Sequence, residues 1–264
     1  MGSQTVDSVQ GLRAKGAIYE DLRHQMLGLV ADLDDPGAVP VPACPGWSIH
    51  DLISHLSGAC ADVLAGNIAE LASDEWTDAQ VRARRELPFS EVVAEWNELG
   101  PQIAAMVDDF PGRYPDNAIA DLVSHEHDIR HALGRPGRRD SEAVEIALDF
   151  VVTMIIHPGM RSLGLGPLAV KTADQRWVVG TPDAVPSMFD LDAMRQGVLA
   201  GAFDNSDEIP VGTVSAPSFE LLRAFTGRRS AREIGRYAWT LEVEPYLPIF
   251  SLGPFSIRAT DLGE

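Results

Sequence analysis

The chain has 264 residues, which is enough for one large domain or two small ones. Its 21 basic against 39 acidic residues leave a formal net charge of −18. This balance argues against binding to nucleic acid or to an anionic membrane, since both require basic surfaces. Two cysteines cannot build a disulfide framework or a four-cysteine zinc site. Residues 1–10 lack an apolar signal core, and the apolar run at residues 150–156 is too short to span a membrane. We therefore predict a soluble, cytoplasmic protein.

The first part of the chain has the three-four apolar spacing of amphipathic helices. Ser48 and Asp51 have the spacing of a capping box at the start of the second helix. Gly100 and Pro101 predict an interruption or bend in the third helix, and Pro158 with Gly159 predict the end of the fifth. The predicted helices cover residues 9–33, 49–64, 90–109, 116–133 and 141–156.

The pattern changes after residue 163, where short β-rich runs replace the helical periodicity. Residues 168–180 predict a β-hairpin around a polar turn, and residues 210–214 predict a strand. Helices are predicted at residues 190–202, 217–227 and 230–239, before an irregular tail. The sequence thus predicts an α+β protein, with a helical bundle at residues 1–163 and a smaller α/β domain at residues 164–264.

A helical wheel places one acid and one histidine of the fourth helix where they can converge. Asp121 and His125 are four residues apart beside the buried stripe, with Asp128 on the same flank. His55 lies at the edge of the apolar stripe of the second helix, so packing the two stripes together brings it beside them. Two imidazoles and a carboxylate form a three-ligand set with an open position, as in catalytic zinc sites. The alternative is that these are ordinary structural histidines.

The remaining candidate residues favour structural roles on spacing alone. His127 and His131 fall on the opposite, polar side of the helix, which predicts solvated surface. Cys44 and Cys60 are typical of small buried apolar groups. The sequence contains no nucleophile elbow, phosphate loop or dinucleotide fingerprint.

Three segments resemble a known family. CPGWSIHDLISHL at residues 44–56 and DLVSHEHDIRHALGRP at residues 121–136 resemble the two signatures of the mycothiol-dependent maleylpyruvate isomerase family, within the DinB-like bundle superfamily. FELLRAFTGRRS at residues 219–230 resembles the C-terminal domain of many actinobacterial members. The resemblance implies a DinB-like four-helix bundle that holds a divalent metal, typically zinc, through His55, Asp121 and His125. The family usually has Glu where this chain has Asp121, so the metal is reached directly, reached through water, or lost.

The resemblance also implies the chemistry. It implies an isomerase or S-transferase in which mycothiol, a low-molecular-weight thiol, adds as a thiolate to a small electrophilic substrate. Asp128 would orient His125 or a bound water, or it is an ordinary surface acid. Arg228 or Arg229 would hold an acidic substrate group, or the two form a surface pair near a helix break. The alternatives are a metal-dependent hydrolase on the same ligands and a non-catalytic binding or regulatory protein. The expected assembly is a monomer or small homo-oligomer.

Overall fold

The computed structural model describes residues 13–68, 71, 73–110, 113–181 and 209–264. Most of the first part is helical, as the apolar spacing predicts. The longer helices are α1 (Lys15–Val30), α2 (Ile49–Ala65), α3 (Asp74–Arg84), α4 (Phe89–Val107), α5 (Tyr114–Ala132) and α6 (Glu142–Val151). A π-helical segment, Val152–Ile156, joins α6 to the short α7 (His157–Ser162). The predicted start of α1 at Val9 lies outside the described residues.

Helices α1, α2, α4 and α5 form the bundle that carries the candidate site, and α3 packs against α2. Helix α1 packs against α4 and α5, and α2 packs against α3, α4 and α5. The predicted capping box starts α2: the Ser48 side chain accepts from the Asp51 backbone N–H, and the Asp51 carboxylate accepts from the Ser48 backbone N–H. Buried Leu52, Ile53 and Leu56 follow on the inner face of α2.

Three details of the helical part differ from the sequence predictions. Helix α3 was not predicted, because its sequence DEWTDAQVRAR buries only Trp76, Gln80 and Val81 and has too short an apolar stripe to recognise. Helix α4 continues through Pro101 without interruption. The helix predicted to end at Pro158 continues to Ser162, and the irregular π-helical turn Val152–Ile156 directly before it accommodates the proline.

A four-stranded sheet with the strand order β2-β1-β3-β4 follows the helices. Strands β1 (Leu168–Lys171) and β2 (Arg176–Val179) form the predicted antiparallel hairpin. Strand β3 (Gly212–Ser215) pairs parallel with β1 and antiparallel with β4 (Ala238–Trp239). The helix predicted at residues 230–239 is therefore wrong at its end, because only Ala231–Ile234 is helical and Trp239 lies in a strand. The helix predicted at residues 190–202 lies outside the described residues.

The helical and β-containing parts share one hydrophobic core. Helix α8 (Ser218–Phe225) packs on α6, and the Phe225 ring stacks on Phe250 with 4.7 Å between ring centroids. The short α9 (Ala231–Ile234) follows α8, and a 3-10 helix, Glu244–Phe250, carries Phe250. Division of the chain into domains at residue 163 stays a prediction.

One helical stretch, Glu142–Ser162, is long and apolar enough to cross a membrane by length and composition. Its most apolar window is 72% buried inside the protein. Burial of this kind is typical of the core helix of a globular protein. In the part of the chain that the structure describes, no other helix meets the same test.

Candidate metal centre

The three side chains that the helical wheel selected lie together between α2 and α5. His55 on α2 and His125 on α5 both direct Nε2 toward Asp121, which lies one turn before His125 on α5. The Asp121 carboxylate is 3.7 Å from Nε2 of His55 and 3.5 Å from Nε2 of His125. One ligand atom of each residue lies within 4.8 Å of the others. Both histidines are buried, whereas 38% of the Asp121 side chain is exposed.

A glutamine that the sequence analysis missed fixes the orientation of His55. Nδ1 of His55 lies 2.8 Å from Oε1 of Gln80 on α3, and Nε2 of Gln80 donates to Asp62 at 2.7 Å. An amide oxygen only accepts, so Nδ1 of His55 carries the proton and Nε2 keeps a free lone pair. Gly58 permits this arrangement, because a Cβ at that position would lie 2.6 Å from Cβ of Gln80.

Asp128 fixes His125 in the same way. Nδ1 of His125 lies 3.0 Å from Oδ2 of Asp128, one turn further along α5. Burial alone would raise the pKa of Asp128, but Arg228 and Arg223 outweigh it and hold this pKa well below its ordinary value. The ionised carboxylate accepts the Nδ1 proton, so Nε2 of His125 is also left as a lone-pair donor. Metal-binding histidines usually have such a partner on the second ring nitrogen.

The chemistry and spacing of this donor set fit a divalent metal. Separations of 3.5 and 3.7 Å are too long for hydrogen bonds, which would be expected if the imidazoles simply donated to Asp121. Ligands held about 2.1 Å from a tetrahedral zinc lie about 3.4 Å apart. Partial burial alone would raise the pKa of Asp121, but His55 and His125 lower it below its ordinary value. Two imidazoles and one ionised carboxylate therefore face one another.

Trp47 forms one wall of the centre. Its ring centroid lies 5.4 Å from that of His55 and 6.3 Å from that of His125. The turn that carries Trp47 immediately precedes the capping box of α2. The indole thus covers both imidazoles on one side and shields them from solvent.

Arg228 is engaged by Asp128, and the interpretation of Arg228 and Arg229 as a surface pair is wrong. Nη2 of Arg228 lies 2.7 Å from Oδ2 of Asp128, and Nη2 of Arg223 lies 2.7 Å from Oδ1. Arg229 is also buried and pairs with Glu220 and Glu264. Asp128 on α5 thereby connects the centre to α8 and the segment after it. The sequence of either segment alone could not predict this contact.

Cys44 adds a thiol to the edge of the centre. Its Sγ lies 3.4 Å from Oδ2 of Asp128, and Cys44, His125 and Asp128 also offer ligand atoms within 4.8 Å of one another. Burial and the Asp128 charge raise the pKa of Cys44 to about 12. Both oxygens of Asp128 already accept hydrogen bonds from Arg228, so His55, Asp121 and His125 form the better donor set.

His127 and His131 do not belong to the metal-ligand clusters found among the described residues. The prediction that both are solvated is wrong for His127, which is 2% exposed, and His131 is half-buried. The His127 ring packs 4.7 Å from that of Phe219 on α8. Phe219, in the C-terminal part of the chain, covers this side of α5. His127 is therefore buried although the helical wheel places it on the polar side.

The centre opens into a cavity of about 480 Å³ inside the end of the bundle. All six of the helices α1 to α6 contribute to its wall. The residues that line it include His55, Asp121, His125, Cys44 and Arg228. Aliphatic and aromatic side chains form most of the remaining wall. This volume lies within the range of about 300–1,000 Å³ that is typical of small-molecule sites.

Comparison with known proteins agrees with this architecture. Residues 19–127, which contain His55, Asp121 and His125, match the family model of the mycothiol maleylpyruvate isomerase N-terminal domain. The crystal structure of the mycothiol-dependent maleylpyruvate isomerase is 13% identical and superposes with a TM-score of 0.52, covering 86% of this chain and 91% of that chain. A histidine-to-alanine mutant of that isomerase gives a TM-score of 0.51 at 12% identity, with the same coverage. No curated protein sequence matches significantly. Residues 19–127 are therefore similar to that N-terminal domain, and the chain shares the fold of the isomerase.

Proposed function

We propose that this protein is a metal- and mycothiol-dependent enzyme, an isomerase or S-transferase that acts on a small electrophilic molecule. One observation carries the proposal: His55 and His125 are each held by a partner on Nδ1, and both present Nε2 to Asp121. That arrangement is typical of a metal site with neutral imidazole ligands. The family match and the fold of the isomerase support the thiol dependence.

His55, Asp121 and His125 would hold the metal, which we propose is zinc. When bound, zinc supplies a positive charge that keeps a thiol deprotonated near neutral pH. Gln80 and Asp128 hold the two imidazoles in the tautomer that this requires. Trp47 covers one side of the two imidazoles, and the apolar cavity wall offers contacts to a small organic molecule beside the centre.

The chain's own thiols are unsuited to act as the nucleophile. Burial and Asp128 raise the pKa of Cys44 to about 12, and burial raises that of Cys60 to about 11. Both therefore remain protonated thiols at neutral pH. An external thiol is the natural reactant, and mycothiol would add its sulfur to an electron-poor carbon. An isomerase eliminates the thiol after bond rotation, whereas a transferase releases the adduct. We place this activity in the cytoplasm.

The test is turnover of an electrophile panel by zinc-loaded protein with mycothiol, another low-molecular-weight thiol, or no thiol. We expect turnover only with thiol, and its loss after chelation or in His55→Ala. His50→Ala is the matched control, because His50 lies on the same helix and contacts Leu87 rather than the centre. Thiol-independent hydrolysis would favour the hydrolase instead. Tight zinc binding without any turnover would favour a binding protein.

A further inference from the structure

The wall of the cavity indicates which electrophiles fit beside the metal centre. Six aromatic side chains line it: Tyr19, Trp47, Trp76, Phe110, Phe150 and Phe255. Aliphatic groups from α2 and α4, including Leu56, Val63 and Met106, fill the spaces between them. A wall of this kind stabilises a bound molecule by removing apolar surface from water and by contact with aromatic rings.

The charges around the cavity oppose an anionic substrate. Among the described residues that line it, Arg228 is the one lysine or arginine. Its Nη2 lies 2.7 Å from Oδ2 of Asp128, its Nε lies 3.3 Å from Oδ1, and its Nη1 donates to the Thr226 carbonyl at 2.5 Å. Arg228 thus belongs to a cluster in which three carboxylates balance three guanidinium groups: Asp128, Glu220 and Glu264 against Arg223, Arg228 and Arg229. This pairing argues against the expectation that Arg228 is available to an acidic substrate group.

The remaining formal charges at the cavity are negative. Asp121 lies at the centre and Asp74 lies at the exposed start of α3. The whole chain carries a formal charge of −18, so its long-range field also repels anions. The metal proposed at His55, Asp121 and His125 adds positive charge, but the proposed function assigns that charge to the thiolate. Among the described residues that line this cavity, a carboxylate would meet no cation without a carboxylate partner to offset the loss of its hydration.

We infer that the electrophile is an uncharged, largely apolar molecule, such as an activated aromatic halide or a neutral unsaturated carbonyl compound, and not a carboxylic acid. This inference rests on the proposed function for the reaction, but the binding preference follows from the cavity alone. With an aromatic halide, the thiol first loses its proton to solvent. Its sulfur then forms a bond to the ring carbon, and the carbon–halogen bond breaks as halide leaves with the electron pair.

Two matched pairs of compounds separate binding from reaction. The unreactive pair is 1,3-dinitrobenzene and 3-nitrobenzoate, with binding followed by quenching of tryptophan fluorescence in metal-free protein, so that the carboxylate cannot bind an open position of zinc. The reactive pair is 1-chloro-2,4-dinitrobenzene and 4-chloro-3-nitrobenzoate, with each rate divided by its rate with thiol alone. We expect a preference of about tenfold or more for the neutral member of each pair. Equal or tighter binding of 3-nitrobenzoate would overturn the inference, whether or not turnover occurs.

If the protein prefers the neutral compounds but shows no thiol-dependent turnover, the inferred substrate class is retained and the proposed function is refuted.

A positive charge introduced into the cavity wall tests whether the lack of an unpaired cation causes the preference for neutral compounds. Val63→Lys adds a positive charge at a half-buried position that lines the cavity, whereas Leu64→Lys adds the same charge to α2 outside it. We expect Val63→Lys, and not Leu64→Lys, to tighten 3-nitrobenzoate binding by about tenfold. If wild-type protein prefers the neutral compound but Val63→Lys and Leu64→Lys bind 3-nitrobenzoate equally tightly, the lack of an unpaired cation does not cause the preference.

Discussion

Asp128 accepts the Nδ1 proton of His125 at 3.0 Å while the same carboxylate pairs with two arginines from the C-terminal part of the chain. One buried side chain thus orients a proposed ligand and anchors the segment around Arg223 and Arg228. Its removal should therefore affect metal binding and stability together.

We expect Asp128→Asn to lower the free energy of unfolding by about 3–5 kcal/mol, because it leaves buried guanidinium groups without their counter-charge. Zinc affinity should fall by about 10–100-fold, because the neutral amide oxygen is a weaker partner for His125. Denaturant unfolding and a zinc competition titration measure the two effects. Asp78→Asn removes an exposed ion pair with Arg82 and should cost less than about 1 kcal/mol. Similar costs for both variants would contradict the anchoring role.

Gln80 is predicted to act only through His55. Gln80→Met keeps a similar size but loses the acceptor for Nδ1, so zinc affinity should fall by about 10–100-fold. The control is Gln102→Met, an exposed glutamine on α4 whose side chain donates to the Glu98 carbonyl of the same helix. The readout is zinc affinity measured by chelator competition on folded protein. Unchanged affinity in Gln80→Met would show that the hydrogen bond at 2.8 Å does not position the ligand.

Asp121 should behave as a metal ligand despite being one methylene shorter than Glu. Asp121→Asn removes the negative charge while keeping the shape, and we expect it to weaken zinc binding by more than about tenfold. Asp121→Glu keeps the charge and the ligand type, so it should stay within about tenfold of wild type. If Asp121→Asn binds zinc as tightly as wild type, the metal is held without this carboxylate.

The cysteines should react slowly in the folded protein. With pKa values raised to about 12 for Cys44 and about 11 for Cys60, the thiolate fraction at pH 8 is about 10⁻³ or less. Alkylation at that pH should be far slower than in unfolded chain and should accelerate as pH rises, since raised pKa values delay deprotonation. Cys44→Ser should alter stability and leave thiol-dependent turnover in place. Rapid labelling of Cys44 with parallel loss of turnover would instead indicate a protein nucleophile.

The sequence predicts correctly those features that depend on residues close together in the chain. The capping box of Ser48 and Asp51, the hairpin around residues 168–180, and the convergence of Asp121 with His125 all depend on residues within one element or turn. His55 was placed correctly because its position at the edge of an apolar stripe leaves few packing directions.

The parts that were missed depend on contacts distant in sequence. Asp128 meets Arg228 across 100 residues, so spacing alone could not distinguish this buried pair from a surface pair. His127 was assigned to solvent because a wheel of α5 cannot show that Phe219 covers it. Gln80 lies on a mostly polar helix, and its only signal is that it follows Trp76 by one turn on the buried side.

We propose that His55, Asp121 and His125 together hold one functional metal ion. The most direct measurement is a zinc titration of metal-free wild-type protein against a chromogenic chelator, repeated on His55→Ala and His50→Ala. We predict one tight zinc per chain in wild type and His50→Ala, and its loss in His55→Ala, because two remaining ligands hold zinc poorly. One tight zinc in His55→Ala with the same affinity as wild type, or no tight zinc in wild type, would contradict the claim.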